Sequence, residues 1–362
     1  MEGLLVSNNL VINSHVGEYQ VYFNDCALEE LNQNIFDNAH FIIDEKVANL
    51  YKDKIPNILS SSSVLLIEAL ETNKSLDKFP QYVKHLVDKK LRRDQVLIAI
   101  GGGIIQDITC FLSATMLRGV KWYFYPTTLL SQADSCIGSK SSINSGNAKN
   151  ILGTFTPPDK VYISTSFLDT LDHTEVLSGL GEMIKVHIID SPESFDNIAK
   201  SYKAILKDKA IMIEFIRRSL EIKKQYIEID EFDKGIRNIF NYGHSFGHAI
   251  ESATNFGIPH GIAVTIGMDM ANFVAMKMGI SSKDNYSHMH ATLYENYSGY
   301  TSYPIPIDLF ISAISKDKKN IGFNEVTLIL TNKDAKVFKD SYKNNKWFSD
   351  VCEYYLTNER VS

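Results

Sequence analysis

Short apolar runs in the first part of the sequence, each separated from the next by a segment of helical or loop character, constrain the fold most strongly. The runs are rich in Ile, Leu, Val and aromatic residues and lie at 40–43, 64–67, 95–100 and 122–125. Helices are predicted among them at 81–90 and 104–116. Continuous apolar strands that alternate with helices are typical of a parallel sheet covered on both faces. The sequence therefore predicts an α/β domain with a mostly parallel, Rossmann-like sheet.

The pattern changes near residue 160. After a last apolar run at 161–163 the strand signal fades, and only 326–330 reads as a further strand. Helical periodicity takes over, with helices predicted at 172–189, 201–229, 238–255 and 261–278. At 362 residues the chain is also long for a single hydrophobic core. We therefore predict two domains, an α/β domain over residues 1–165 and a mainly α-helical domain over residues 166–362.

Charge and composition argue against several classes of protein. Lys and Arg (37) are outnumbered by Asp and Glu (43), and the net charge of −6 gives no case for binding nucleic acid or an anionic membrane. No apolar run approaches the roughly 20 residues of a membrane-spanning helix, and the first residues lack the pattern of a signal peptide. The four cysteines, Cys26, Cys110, Cys136 and Cys352, show no CxxC spacing. These features are typical of a reduced, cytoplasmic enzyme.

A histidine-containing segment at 241–251 carries the strongest functional signal. It reads Asn-Tyr-Gly-His-Ser-Phe-Gly-His-Ala-Ile-Glu, and His244 and His248 project from one face of a helix because they are four residues apart. His260 follows after a short turn, and Glu182 lies in a helix-compatible run at 180–185. Two His and one Glu with an open position are typical of catalytic zinc. The alternative is that the His pair is an ordinary polar feature of a helix surface.

A nucleotide site is indicated where the strand at 95–100 runs into three glycines, Gly101, Gly102 and Gly103, before a helix. Glycines there allow the backbone to approach a pyrophosphate, and the helix N-terminus supplies free N–H groups. The pattern is not GxGxxG, so a simple tight turn is the alternative. Asp44 could accept hydrogen bonds from ribose hydroxyls or be an exposed turn residue. Thr127 and Thr128 could contact a nicotinamide or cap the following helix.

Basic and polar residues form a third group. Lys140, Lys149 and Asn150 lie among small residues, and Lys185 lies in an apolar helix. Further members of the group are Arg118, Asp134, Lys223, Arg237, Asn241 and the residues 317–320. Most lysines are solvated surface charges, which is the alternative for each of them singly. Together with a metal, such cations suit a substrate that carries phosphate or carboxylate.

Several of these blocks closely resemble 3-dehydroquinate synthase and its relatives, the sugar phosphate cyclases. They are Asp-Ser-Cys-Ile-Gly-Ser-Lys-Ser-Ser-Ile-Asn at 134–144, Ala-Lys-Asn at 148–150, Gly-Glu-Met-Ile-Lys at 181–185 and the histidine segment at 241–251. The resemblance runs from about Asp44 to Leu330. It implies an N-terminal NAD-binding domain, a mainly helical C-terminal metal domain, and an active site between them. It also implies a homodimer that binds NAD and zinc, with cobalt as the other metal.

The resemblance assigns roles residue by residue. The metal ligands would be Glu182, His244 and His260. The catalytic groups would be His248, Lys140, Lys185, Lys223 and Asp134. The substrate would be held by Lys149, Asn150, Arg237, Asn241 and Lys318, with Arg118 reaching the phosphate in the site of the partner subunit. The NAD contacts would be Asp44, Glu71, Lys74, Gly101, Gly102, Gly103, Asp107, Thr127, Thr128 and Thr170.

Three positions depart from the pattern of the family. The synthase commonly has Gly-Gly-Lys where this chain has Gly-Ser139-Lys, and His-Gly-Glu where it has His-Gly-Ile262. A position that is usually Glu is Asp233 here. Ile262 removes a carboxylate next to a predicted metal ligand. We expect such a loss to change the orientation of the ligand or the affinity for the metal.

The resemblance implies a phosphate-eliminating cyclase that closes a carbocycle and reuses its NAD within each turnover. Arg237 offers a fork suited to a planar carboxylate, which favours 3-deoxy-arabino-heptulosonate 7-phosphate as substrate and 3-dehydroquinate, of the shikimate pathway, as product. One alternative is a cyclase of the 2-deoxy-scyllo-inosose or 2-epi-5-epi-valiolone type. Others are a metal-dependent polyol dehydrogenase and a non-catalytic NAD-binding protein.

Overall fold

The chain forms two compact units. The computed structural model describes residues 9–34, 38–146, 148–316, 320 and 324–361. The first unit comprises Met1–Leu171 and Lys223–Phe232, and the second comprises Asp172–Ile222 and Asp233–Ser362. The segment Lys223–Phe232 belongs to the first unit although its sequence lies within the helical half of the chain. No sequence pattern indicated this assignment, and the predicted functional division after residue 165 stays a prediction.

A seven-stranded sheet organises the first unit. The strands of the unit are β1 (Asn9–Ser14), β2 (Gly17–Phe23), β3 (Ala39–Asp44), β4 (Val64–Ile67), β5 (Val96–Gly101), β6 (Lys121–Pro126), β7 (Ile143–Ser145), β8 (Ala148–Leu152) and β9 (Lys160–Ile163). The order in the sheet is β1-β2-β9-β6-β5-β3-β4, and every pair except β1 with β2 is parallel. Strands β7 and β8 form a separate hairpin. The prediction of a mostly parallel sheet is confirmed.

Burial explains why these strands were readable in the sequence. All six residues of β5 are buried, and β3 is buried along almost its whole length. The helices of the unit are α1 (Ala27–Gln33), α2 (Glu45–Leu50), α3 (Pro56–Leu59), α4 (Phe79–Asp88) and α5 (Gly103–Thr115). Each large aliphatic side chain that leaves water contributes about 1.5–3 kcal/mol. The carboxyl ends of β5 and β6 lie side by side, so the turns that follow them are neighbours.

The second unit is mainly helical. Its helices are α6 (His173–Asp190), α7 (Pro192–Ile205), most of α8 (Lys209–Ile229), α9 (His244–Ala253), α10 (His260–Lys277), α11 (Lys283–Tyr297), α12 (Ile307–Ser315) and α13 (Lys346–Tyr354). Helix α10 is the central element: it is buried from Gly261 to Ala275 and packs against α6, α9 and α11. None of the helices in the described ranges combines the length and apolar character that crossing a bilayer requires.

Three details of the predicted helical half were wrong. The helix expected at 238–255 is a 3₁₀ helix, Ile236–Asn241, followed by α9, because Gly243 between them has a left-handed conformation with a φ of +77°. The single helix expected at 201–229 is two helices, because α7 ends at Ile205 and the N–H groups of Lys207 and Asp208 both turn back to the carbonyl of Ala204. A second late strand, β11 (Val337–Lys343), pairs antiparallel with β10 (Glu325–Thr331). It has no apolar run because most of its residues are exposed or half-buried, and its backbone hydrogen bonds come from β10.

A buried carboxylate joins three parts of the second unit. Asp269 of α10 is fully buried and accepts hydrogen bonds from the hydroxyls of Tyr297 and Tyr355, at 2.7 Å each. His290 of α11 lies with its Nδ1 2.9 Å from the same carboxylate. Burial alone would lower the pKa of His290, but the Asp269 carboxylate outweighs burial and raises it. A protonated His290 therefore strengthens the cluster.

We expect Asp269→Asn to destabilise the protein by about 2–4 kcal/mol, since an amide turns one acceptor of a buried cluster into a donor. Thermal unfolding measures the effect, and Asp284→Asn on the exposed surface of α11 is the matched control. The raised pKa of His290 means that its pairing stabilises fully below its unfolded pKa of about 6.5 and is lost as pH rises through the folded value. The difference between wild type and variant should therefore shrink at alkaline pH. Equal unfolding temperatures for Asp269→Asn and Asp284→Asn would contradict this interpretation.

Candidate functional site

Close packing of α6 on α10 builds one end of the predicted metal site. A Cβ on Gly261 would lie 1.9 Å from the carbonyl oxygen of Ser178, and a Cβ on Gly181 would lie 2.5 Å from the carbonyl oxygen of Gly261. No side chain fits in either place, so the two glycines allow the backbones of the helices to touch. The contact brings Glu182 of α6 next to His260, the first residue of α10.

The four residues predicted around a metal are neighbours in the second unit. His244 begins α9, His248 follows one turn later, and the nitrogens that His244, His248 and His260 offer all lie within 4.8 Å of one another. Glu182 Oε1 lies 3.7 Å from His244 Nε2 and 3.4 Å from His260 Nε2. The helical spacing of the histidines thus produced the cluster that the sequence indicated.

The surroundings of the Glu182 carboxylate indicate whether these residues can hold a cation. Glu182 is 1% exposed, and its Oε1 is a buried atom without a hydrogen-bond partner among the described residues. Its other oxygen, Oε2, accepts a hydrogen bond from the Lys185 ammonium. A buried carboxylate oxygen that faces two imidazole nitrogens without a hydrogen bond is costly unless a cation lies between them. One carboxylate and two imidazoles with an open position fit a divalent metal such as zinc.

Neighbouring charges shift the pKa values of Glu182 and His260. Burial alone would raise the pKa of Glu182, but the Lys185 ammonium and His260 outweigh burial and lower it. Burial opposes protonation of His260, yet the carboxylates of Glu182 and Glu251 together raise its pKa to about 10. Glu182 is therefore an anion, as a carboxylate ligand must be, and a metal at His260 would replace the proton that these carboxylates otherwise hold there.

Glu251, which received no role from the sequence, contacts His260. Its Oε1 lies 3.1 Å from His260 Nδ1, so it orients the ring and leaves Nε2 facing Glu182. Carboxylates that hold the second nitrogen of a metal-binding His fix its tautomer and orientation. The available signal was its position seven residues after His244, on the same face of α9.

The predicted nucleotide turn lies in the first unit. Gly102 precedes the first residue of α5, and a Cβ on Gly103 would meet no described atom within 4 Å apart from its chain neighbours and the backbone of its own helix. Thr127 donates its N–H to the carbonyl of Gly101 at 3.0 Å. A helix N-terminus beside a glycine turn fits a pyrophosphate.

A polar cluster next to α5 unites residues from two predicted groups. The Lys74 ammonium is buried and lies 3.0 Å from Asp107 Oδ2, 3.1 Å from Asn150 Oδ1 and 3.5 Å from Glu71 Oε1. Burial raises the pKa of Asp107 to about 6, although Lys74 opposes the shift. Glu71, Lys74 and Asp107 were predicted to contact NAD, and Asn150 was predicted to contact the substrate.

Three other predicted NAD contacts have local structural partners. Asp44 accepts the N–H of Lys46 at 3.0 Å and so caps α2, while burial raises its pKa. Thr128 Oγ1 accepts the N–H of Ser131, and the Thr170 hydroxyl lies 3.1 Å from that of Tyr51. Thr128 thus makes a turn contact of the kind named as its alternative, whereas Asp44 is a half-buried helix cap rather than an exposed turn residue. The roles of both toward NAD stay predictions.

The members of the predicted basic group differ in burial. Lys223 is buried, and its ammonium lies 2.8 Å from Asp134 Oδ1 and donates to the Asp134 carbonyl as well. Both residues belong to the first unit. The exposed members are Arg118, Lys140, Lys149 and Asn150. In the second unit, Arg237 is buried, and the Asn241 side chain donates to the carbonyl of Asn238. Lys318 lies outside the described residues.

Comparison with known protein families explains why these residues occur together in one chain. The model of the 3-dehydroquinate synthase N-terminal domain matches residues 64–178, and that of the C-terminal domain matches residues 179–320. The chain is 36% identical to the 3-dehydroquinate synthase of Clostridium tetani over 315 residues, which cover 86% of this chain and 83% of that protein. This chain belongs to the 3-dehydroquinate synthase family.

Solved structures confirm the fold of this family member. A 2-deoxy-scyllo-inosose synthase, in complex with carbaglucose-6-phosphate, NAD+ and Co2+, is similar with a TM-score of 0.81 and 20% identity over 96% of this chain and 99% of that one. The 2-epi-5-epi-valiolone synthase of Streptomyces hygroscopicus, with NAD+ and Zn2+, has a TM-score of 0.81 and 22% identity over 94% of this chain and 97% of that one. The predicted dehydroquinate synthase-like fold is therefore confirmed.

Two departures from the 3-dehydroquinate synthase pattern have local explanations. Ile262 is fully buried in α10, and His260 is oriented by Glu251, so the carboxylate lost at position 262 is not needed to hold this ring. Asp233 has a φ of +54°, and its carbonyl and carboxylate both accept from the Asn238 side chain. Asp therefore stabilises the turn that precedes Arg237.

Proposed function

We propose that this member of the family is a 3-dehydroquinate synthase, which converts 3-deoxy-arabino-heptulosonate 7-phosphate into 3-dehydroquinate and phosphate. The observation that carries the proposal is the buried oxygen of Glu182, which lies against His244 and His260 without a hydrogen-bond partner in the described structure. The match of both family domains and the 36% identity to a protein of that name support the choice of reaction.

The cofactors of the proposed reaction are NAD and zinc, with cobalt as the other candidate metal. Glu182, His244 and His260 would hold the metal, and the glycine turn before α5 would hold the NAD pyrophosphate. Bound zinc would act as a Lewis acid on a substrate oxygen, and NAD would accept a hydride and return it within the same turnover. NAD+ with Co2+ or Zn2+ in the two solved cyclases supports this assignment.

The residues of the chain would supply charge and proton transfer. Lys140, Lys149 and Asn150, together with Lys318, would bind the phosphate and stabilise the negative charge that develops as it leaves. His248 would relay protons, since it lies beside the proposed ligands without being one of them. Lys185 keeps Glu182 anionic, and the pair of Lys223 with Asp134 keeps both side chains ordered.

Assembly and location follow as parts of the same proposal. We propose a cytoplasmic homodimer in which Arg118 reaches the phosphate in the site of the partner subunit. Exposure of Arg118 supports this role, as does its φ of +66° in a tight turn with Leu117 and Gly119, which turns the side chain outward from α5. Residues 1–165 would bind NAD, and residues 166–362 would bind the metal and the substrate.

Phosphate release with reuse of NAD tests the reaction. We expect steady-state turnover of the heptulosonate phosphate to release phosphate while the absorbance of reduced nicotinamide does not accumulate, because the hydride is returned in each cycle. Sedoheptulose 7-phosphate and glucose 6-phosphate serve as controls without a carboxylate. Stoichiometric formation of NADH from an unphosphorylated polyol would contradict the proposal and support a dehydrogenase.

A further inference from the structure

The Ser139 backbone adopts a conformation that disfavours a side chain. Its φ is +67°, in the left-handed region that glycine enters freely and residues with a Cβ enter at a cost. The family commonly has glycine at this position. Ser139 is buried, and it immediately precedes Lys140, a proposed catalytic residue whose side chain is exposed. Something else must hold Ser139 in this conformation.

A buried carboxylate supplies that restraint. Glu231 Oε1 accepts hydrogen bonds from the hydroxyls of Ser139 and Ser14, and its Oε2 accepts the N–H of His15 at 2.7 Å. Burial would raise the pKa of Glu231, but these hydrogen bonds, led by the one from Ser139, outweigh burial and lower it. Glu231 is therefore an anionic acceptor, and hydrogen bonds to charged groups are the stronger kind.

The backbone on both sides of Ser139 is also tied down. The N–H of Gly138 donates to the Tyr19 hydroxyl at 3.2 Å, and the N–H of Thr156 donates to the carbonyl of Ser139 at 2.7 Å. Lys140 pairs with Phe155 through an isolated β-bridge. The turn that presents Lys140 is thus defined by contacts within the first unit. Among the hydrogen bonds of the described residues, the one to Glu231 is the one that uses the Ser139 side chain.

The segment Lys223–Phe232, which contains Glu231, also contacts the start of this loop at Asp134. Lys223 binds Asp134 and Glu231 binds Ser139, and both come from Lys223–Phe232, which joins the first unit. The segment therefore fixes the stretch from Asp134 to Lys140 at two points. This explains why ten residues from the helical half of the sequence pack with the α/β unit.

We propose that Glu231 is a positioning residue that holds Ser139 in its left-handed conformation and thereby orients Lys140 toward the substrate. The inference rests on the proposed function for the role of Lys140. Glycine in place of Ser139 takes the same conformation without strain, so a protein with glycine there does not need this acceptor. The pair of Ser139 with Glu231 replaces, in this chain, the conformational freedom of a glycine.

Five variants test the pair. Ser139→Ala keeps the Cβ and removes the hydroxyl, and we expect roughly a 10-fold loss of kcat with an unchanged KM for NAD. Ser14→Ala removes a hydroxyl from the same carboxylate oxygen without touching the turn, and it should stay within about 2-fold of wild type. Ser139→Gly should retain activity. Glu231→Ala should be impaired like Ser139→Ala, and Ser139→Gly combined with Glu231→Ala should regain most of the activity.

A merely structural role predicts a different pattern. In that case Ser139→Ala and Ser14→Ala would lower the unfolding temperature alike and leave kcat of the folded enzyme unchanged. That result, or a Ser139→Gly variant as impaired as Ser139→Ala, would overturn the inference. If Glu231→Ala folds poorly, the combined variant still decides the test, because the substitution that restores activity, Ser139→Gly, is at a different residue.

Amide hydrogen exchange separates this inference from the proposed reaction. The amides of Gly138 and Thr156 should exchange faster in Ser139→Ala and Glu231→Ala than in wild type, and at the wild-type rate in Ser139→Gly. This measurement needs no substrate. If wild type fails to turn over the heptulosonate phosphate, the reaction is wrong while the exchange rates still decide whether Glu231 holds the turn; unchanged exchange in Ser139→Ala refutes the positioning role.

Discussion

Glu182→Gln and His260→Ala are each expected to lose bound metal and activity together, with kcat/KM falling by roughly 1000-fold or more. A Lewis acid on the reacting oxygen is worth several kcal/mol, at 1.36 kcal/mol per tenfold change in rate. Glu182→Gln preserves the shape of a buried side chain but replaces the anion that faces His244 and His260. Elemental analysis gives the metal content, and steady-state kinetics give the activity of the same preparations.

His248→Ala distinguishes two possible ligand sets. If Glu182, His244 and His260 are the ligands, His248→Ala should keep stoichiometric metal and lose activity by about 100- to 10,000-fold, the usual contribution of a general acid or base. If the three histidines are the ligands, it should lose the metal, whereas Glu182→Gln should retain it. His288→Ala, at an exposed position on α11, is the matched control and should change neither quantity. Full zinc occupancy in His260→Ala would remove His260 from the set.

Arg237→Lys is expected to reduce kcat/KM for the heptulosonate phosphate by roughly 30- to 1000-fold, because it loses a hydrogen bond between charged groups worth about 2–4 kcal/mol. The guanidinium of Arg237 is buried, and its planar fork can bind both oxygens of a carboxylate, which the Lys ammonium cannot reproduce. NAD binding and zinc content should stay unchanged. Competition between the heptulosonate and sugar phosphates without a carboxylate measures the selectivity directly.

The control for this prediction is Arg218→Lys. Arg218 pairs with Asp190 at 3.0 Å on a half-exposed surface, so the substitution should leave kcat/KM unchanged. If Arg237 instead only stabilises the turn around it, Arg237→Lys should lower the unfolding temperature and reduce turnover of every substrate alike. Faster turnover of sedoheptulose 7-phosphate or glucose 6-phosphate than of the heptulosonate by wild type would contradict the carboxylate assignment, and the cyclase assignment would survive.

Elements with strong local patterns were predictable from the sequence. Strands β3, β4, β5, β6 and β9 were found close to their observed bounds because each is a run of mainly apolar residues, which is buried throughout in β5 and almost throughout in β3. Strands β1, β2, β7, β8 and β11 were not found. Most of their residues are half-buried or exposed, and their stability depends on hydrogen bonds to a partner strand rather than on burial.

The parts of the site that depend on local sequence patterns were also predictable. The spacing of His244 and His248 determined that their side chains share a helix face, and the glycine run after β5 indicated the N-terminus of a helix. Glu182 was also named from its helix-compatible run, but its position beside the histidines depends on the contact of α6 with α10. Local periodicity cannot express that contact, since the residues involved are about 80 positions apart.

The fold class and the family could be predicted from the sequence alone, which also supplied the candidate residues for the chemistry. The folded chain was needed to show which oxygen of Glu182 lacks a hydrogen bond among the described residues, that Glu251 contacts His260, and that Glu231 accepts a hydrogen bond from Ser139. Each of these depends on where a side chain ends after distant segments have packed. Composition and spacing record which groups are available, whereas the pairing of buried charges and hydrogen bonds is set by long-range contacts that form only in the folded chain.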